Sequence, residues 1–71
     1  MVQENIVNNV HEWRTRTNVT QEELARVVGV TRQTIIAIEK GNYAPSVLLA
    51  IKIARYFKRP LEEILQYIHE K

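Results

Sequence analysis

The chain has 71 residues, no cysteine, and 10 Lys and Arg against 8 Asp and Glu, for a formal net charge of +2. That is one small domain, burying only about 60% of the surface its unfolded chain exposes, and self-association is a common remedy at this size. There is no disulfide framework or thiolate metal site, no apolar run of the roughly 20 residues a membrane span needs, and no signal peptide in MVQENIVNN, so the expectation is a soluble, cytoplasmic protein with no membrane partner.

Glycine and proline are scarce, and the composition favours helix. Five helical segments are predicted in one domain spanning 1–71. An N-terminal extension covers residues 1–8, where ENIVNN is ambiguous: asparagines form helix poorly, and Ile6-Val7 suits a short strand. The first helix centres on Val10 to Arg16, with Val10 and Trp13 on one face. It is expected to end near Thr17, with Asn18 as a left-handed stop. The second opens on Thr20, and Glu23 three residues on makes a capping box. Leu24, Ala25 and Val28 form its inner face and Gly29 ends it. The third opens on Thr31, turns Ile35 and Ile38 inward, and ends at Gly41. A loop, Asn42-Tyr43-Ala44-Pro45, leads to Ser46, which caps a fourth helix with Leu49, Ala50, Ile53, Ala54 and Phe57 inside. Pro60 suits the opening of a fifth helix, with Leu61, Ile64 and Leu65 on its apolar side. Gln66-Tyr67-Ile68-His69 fits either frayed helix or a short strand.

Residues 20–40 place a tight glycine turn between two short helices, which is a helix-turn-helix unit. Ala25 is small where the helices approach, and Val30 and Ile35 close the corner. The second helix of such a unit enters the DNA major groove amino end first. That end must read bases and carry no carboxylate for phosphates to repel. Thr31-Arg32-Gln33-Thr34 meets both demands, because Arg pairs two-pronged with guanine and Gln with adenine. The stretch Thr31–Pro45 holds Arg32 and Lys40 against the single acid Glu39, a mild pointer to an anionic partner.

Gln-Glu-Glu-Leu-Ala, Gly-Val-Thr-Arg-Gln-Thr-Ile, Ile-Glu-Lys-Gly and Pro-Ser, in that order, resemble the phage lambda/434 repressor class, the Xre family, over about Asn9 to Leu65. The resemblance implies an all-α, compact five-helix domain and sequence-specific binding of double-stranded DNA. Its short stand-alone members are homodimers on palindromic operators, and one of them pairs its two chain ends in a small antiparallel sheet. By position, Arg32, Gln33 and Thr34 match base- and phosphate-facing residues, and Ala37 falls one turn further along the same side; all four are assigned to base readout. Gln21 matches a glutamine that the family sets on a phosphate and as a buttress to the reading helix. Lys40, Asn42 and Tyr43 match the loop that grips the DNA backbone, and Thr20 and Thr31, at the two helix starts, are assigned to the backbone with them. Arg14 and Glu39 match an ion pair clamping the first helix to the third. Ile36 stands where relatives often carry serine, so it either touches a thymine methyl or packs at the edge, and operator preference does not transfer simply.

Leu48, Tyr56, Tyr67 and Ile68 exceed what a small core needs and are assigned to a dimer interface, with residues 60–71 as the dimerising segment. Against these readings stand plainer ones. Arg32 and Gln33 also suit a solvated helix face, and Arg14 and Glu39 two unrelated surface charges. Trp13 reads as core packing, and Glu62-Glu63 as favouring the positive end of the fifth helix. His11 and His69 lie far apart without ligand partners, so no metal site and no cofactor are expected. No nucleophile–base pair or phosphate loop is present, and an enzyme is not expected. The function read is a homodimeric repressor. Its alternatives are an antitoxin or restriction-system controller using the same DNA-binding mode, or a protein-interaction module without DNA binding.

Overall fold

Hydroxyl side chains start three of the helices. Thr20 Oγ1 accepts from Glu23 N at 3.0 Å, Thr31 Oγ1 from Thr34 N at 3.3 Å, and Ser46 Oγ from Leu49 N at 3.1 Å, each satisfying a donor the helix leaves open. The computed structural model describes the backbone of residues 3–70 and the side chains of residues 6–68. Met1 and Val2 of the expected N-terminal extension, Lys71 of the dimerising segment and the His69 side chain lie outside the described residues. The order is β1 (Gln3–Asn8), α1 (Val10–Arg16), α2 (Gln21–Val28), α3 (Arg32–Glu39), α4 (Val47–Phe57), α5 (Leu61–Ile64) and β2 (Leu65–Glu70).

Left-handed residues stop the first four helices: Asn18, Gly29, Gly41 and Lys58 all have positive φ. Each is followed by the same closing bond. Val19 N donates to Arg14 O, Val30 N to Ala25 O, Asn42 N to Ala37 O and Arg59 N to Ala54 O, at 2.9 to 3.0 Å. Lys58 is the stop that the sequence does not announce. The capping box at α2 has one arm only among the described hydrogen bonds. Glu23's carboxylate instead accepts from Tyr56 Oη at 3.3 Å, tying α2 to α4.

The core is Val10, Leu24, Ile35, Ile38, Ile53 and Ile64, all fully buried, with Ala25, Val28, Leu49 and Ala54 around them. Burying one such aliphatic side chain is worth about 1.5–3 kcal/mol. Phe57 and Trp13 are only partly buried against this cluster. Trp13 Nε1 donates to Glu63 O at 3.1 Å, and the guanidiniums of Arg16 and Arg59 lie 4.9 and 4.5 Å from its ring.

Both ambiguous ends of the chain are strands. They pair antiparallel, with Asn8 opposite Leu65, Val7 opposite Gln66 and Ile6 opposite Tyr67. This corrects the fifth helix: it stops at Ile64, Leu65 belongs to β2, and Leu61 is exposed rather than inward-facing. Pro60 is its N-cap, one residue before the helix begins.

The acid at the end of α3 organises the neighbouring helices. Arg14 Nε and Nη2 donate to Glu39 Oε2 and Oε1 at 2.7 and 3.2 Å, and Gln21 Nε2 donates to Oε1 at 3.1 Å. Arg14 Nη1 also donates to Val19 O at 3.0 Å. The pair is largely shielded, with side-chain exposure of 13% for Arg14 and 7% for Glu39. His11 joins this cluster from the surface, with Nδ1 3.3 Å from Glu39 Oε1 and 3.1 Å from Arg14 Nη2. The ring is 65% exposed, so it adds little. Burial pushes the Glu39 carboxyl up, but hydrogen bonds from Arg14 and Gln21 and the Arg14 charge outweigh burial and hold it below the ordinary value.

Two outcomes are expected. At Gly29, φ is +79° and nothing lies within 4 Å of an added Cβ, so Gly29→Ala meets backbone strain alone. It should cost about 1–2 kcal/mol, with Gly29→Asn losing less, in thermal unfolding. Glu39→Gln leaves Arg14 without its counter-ion. Breaking a buried pair costs about 3–5 kcal/mol, and the lower end is expected because Arg14 keeps Val19 O. A carboxyl with a lowered native pKa contributes stability that is complete above its ordinary value of 4.5 and is lost as pH falls through the native pKa. Acid unfolding below about pH 4.5 should therefore be shallower in Glu39→Gln than in the wild type, measured by Trp13 fluorescence.

Candidate nucleic-acid interface

The first turn of α3 carries no acid, and Thr31 caps it in extended conformation. Arg32 and Gln33, its first two residues, are exposed. Thr34 is half-buried and its hydroxyl lies 3.2 Å from that of Thr31, so the two threonines brace each other at the helix start. Ile36 and Ala37 are half-buried one turn on. The opposite stripe, Ile35 and Ile38, is wholly buried. The helix therefore presents an uncharged cap, one cation and one primary amide outward, and an aliphatic underside inward.

Arg32 shares an open polar concavity with Thr20, Gln21, Glu22 and Arg14 at the start of α2. Helix amino termini expose unpaired N–H groups and the positive end of the dipole, which together suit a phosphate. The Gln21 amide has two N–H donors. One goes to Glu39, which leaves the other for an anion. Glu22, an acid that the sequence sets apart from the Thr31–Pro45 stretch, lines the same concavity as Arg32.

Lys40, Asn42 and Tyr43 follow the other end of α3. Lys40 is its C-cap, Asn42 N donates to Ala37 O, and all three side chains are exposed. Tyr43, 48% exposed, borders a cleft with Val28, Val30 and Leu48. The assigned backbone residues thus bracket α3 at both ends, with the base-reading set between.

The four dimer-assigned residues are not gathered. Tyr67 and Ile68 line one concavity with Leu65 and Glu62 in the C-terminal segment. Leu48 lies on the cleft beside Val28, and Tyr56 turns to Glu23 and packs edge-on to Phe57 at 5.2 Å. Val47 and Ile51, which sequence reasoning passed over, share α4 with Leu48 and Tyr56 and are 75% and 41% exposed; they occupy helix positions that a continuous apolar run cannot assign to inside or outside.

Among the described residues, no group of His, Asp and Glu is gathered to hold a metal ion. No helix of the described residues is long and apolar enough to cross a membrane.

The helix-turn-helix family matches residues 10–64. An uncharacterised HTH-type transcriptional regulator of Methanocaldococcus jannaschii is 53% identical over 60 residues, covering 84% of this chain and 91% of that protein. The HTH-type regulator YgzD of Bacillus subtilis is 53% identical over 57 residues, covering 80% and 86%. The crystal structure of the restriction-modification controller protein C.AhdI from Aeromonas hydrophila superposes with a TM-score of 0.72 at 27% identity, over 78% of this chain and 83% of that one. The chain belongs to the helix-turn-helix family of lambda-repressor (Xre) type and is a DNA-binding transcriptional regulator, with double-stranded DNA as its partner.

Proposed function

We propose that this regulator is a homodimeric repressor that occupies a palindromic operator, each protomer inserting the first turn of α3 into a major groove. The observation that supports it most is that α3 exposes Arg32 and Gln33 at an acid-free amino end, over a buried carboxylate clamp that holds its far end. In this reading Arg32, Gln33, Thr34 and Ala37 face base edges, while Thr20, Gln21, Thr31, Lys40, Asn42 and Tyr43 hold phosphates and set register. Ile36, half-buried beside Ala37, packs at the rim and offers a thymine methyl an apolar neighbour.

Dimerisation is assigned to the C-terminal segment, where Leu65, Tyr67 and Ile68 line an apolar-sided concavity and Tyr67 is 63% exposed. Two-fold symmetry then sets the reading helices about 34 Å apart, one turn of DNA. The likeness to a restriction-modification controller favours a second role for the same binding mode, control of a restriction system, which a restriction gene beside this one in the genome would support.

Gln33→Ala should lose about 1–3 kcal/mol on the operator selected from random duplexes and relax preference at one base pair per half-site. Lys40→Ala should weaken operator and scrambled duplex alike and lower the salt slope by about 1 for each phosphate it ceases to neutralise. Titrating both variants against both duplexes checks the assignment, and equal weakening of the two by Gln33→Ala would make Gln33 a backbone anchor. Sedimentation should find a dimer at tens of micromolar or on DNA; a monomer under both conditions would overturn the dimer.

A further inference from the structure

Among the described residues, the carboxylate clamp is one of two side-chain tethers on the end of α3. The second comes from Asn8, the last residue of β1, whose Nδ2 donates to Ile38 O at 2.7 Å across 30 residues of sequence. That carbonyl also accepts from Gly41 N at 3.0 Å as the helix closes. The Asn8 amide is itself aimed by its other end, since Oδ1 accepts from Val10 N at 3.3 Å.

Asn9 points the opposite way. Its side chain donates to Glu63 O at 3.1 Å and its main chain to Ile64 O at 2.8 Å, at the end of α5 where β2 begins. Asn8 also pairs with Leu65, the first residue of β2. The two asparagines therefore sit where the terminal sheet is rooted in the bundle, one bound to the reading helix and the other to α5. Next to this root a cleft separates Ile6, Asn8 and Leu65 from Gly41, Tyr43 and Pro45 in the loop after α3. Where the loop stands off, the amide spans directly from sheet to helix.

We propose that Asn8 is a positioning residue for DNA recognition, the link that holds the reading helix at a set angle to the terminal sheet and so to the other protomer. The inference rests on the homodimer reading above. In a dimer joined through the C-terminal segment, of which β2 is part, any play between sheet and α3 becomes play in the separation of the two reading helices. Operators reward one separation, about 34 Å, whereas non-specific DNA does not. The signature of a loosened link is lost discrimination with retained non-specific binding.

The test compares Asn8→Ala with Asn9→Ala. Each deletes side-chain hydrogen bonds at the sheet root, and only Asn8 touches α3. Both are assayed as the full chain, below their melting transitions as followed by Trp13 fluorescence, on operators selected by the wild type. Asn8→Ala should stay dimeric and bind scrambled duplex within about threefold of wild type. It should lose about tenfold on the operator, the scale of one stranded polar group, and accept half-sites shifted by one base pair. Asn9→Ala should lower the melting temperature and leave the ratio of operator to scrambled affinity unchanged. Should Asn8→Ala not fold, Asn8→Asp is used, which retains the acceptor for Val10 N but cannot donate to Ile38 O. An unchanged ratio in the Asn8 variant, or the same fall in Asn9→Ala, overturns the proposal. A wild type that is monomeric on DNA overturns the dimer reading and this inference with it, a result seen before any variant is made.

Discussion

Glu39 carries the constraint on which the rest of the structure depends. An eight-residue helix is too short to hold its own conformation in water, and α3 leaves Arg32 and Gln33 exposed on one side, so it buries only half its surface. Ile35 and Ile38 supply that half. What they cannot supply is direction, because apolar contact is non-directional. The two-pronged Arg14–Glu39 pair and the Gln21 amide do supply it, through oriented hydrogen bonds to a carboxylate that is largely shielded from solvent. A carboxylate at a helix carboxyl end runs against the dipole, and burial makes it costlier. It is tolerated because Arg14 meets it there, which binds α1, α2 and α3 into one unit.

The helix boundaries serve the same end. Four left-handed stops and three hydroxyl caps let five helices fit in so few residues, with each closing bond satisfying a carbonyl that would otherwise be left open. The caps also sort the charge. Glu22 and Glu23 occupy the first turn of α2, whereas α3 begins with none. Glu23 is drawn off to Tyr56, while Glu22 remains beside Arg32. In the proposed complex, a phosphate at the concavity beside α2 would meet N–H groups and the helix dipole more than net positive charge.

The terminal sheet is a different kind of element. A two-stranded ribbon is marginal alone, and Ile6 and Tyr67, paired across it, are both largely exposed. It persists because it is rooted: Leu65 packs on the core and Asn9 is bonded to the end of α5. Trp13 seals the same corner, its indole on Glu63 O between two guanidiniums. Regions that would meet a second protomer and regions that would meet DNA are joined through this corner.

The first four helices, the hydroxyl caps, the glycine turn and the outward placing of Arg32 and Gln33 follow from the residues alone, because they depend on local physics: side-chain period, cap chemistry and the backbone freedom of Gly29 and Gly41. The sequence also marked Arg14 and Glu39 through their family positions. Tertiary structure alone decided the remainder. Whether ENIVNN and the segment after Leu65 are strands depends on a partner more than 50 positions away, since neither has a ladder without the other. His11 looks solitary until α3 brings Glu39 to it across 28 residues, and Asn8 looks like a poor helix former until Ile38 O arrives. Lys58 takes a left-handed stop with no glycine to announce it, because the closure between α4 and α5 outweighs its local preference. Local chemistry names the elements, and long-range hydrogen bonds, formed only when the chain has closed, decide how the reading helix is held.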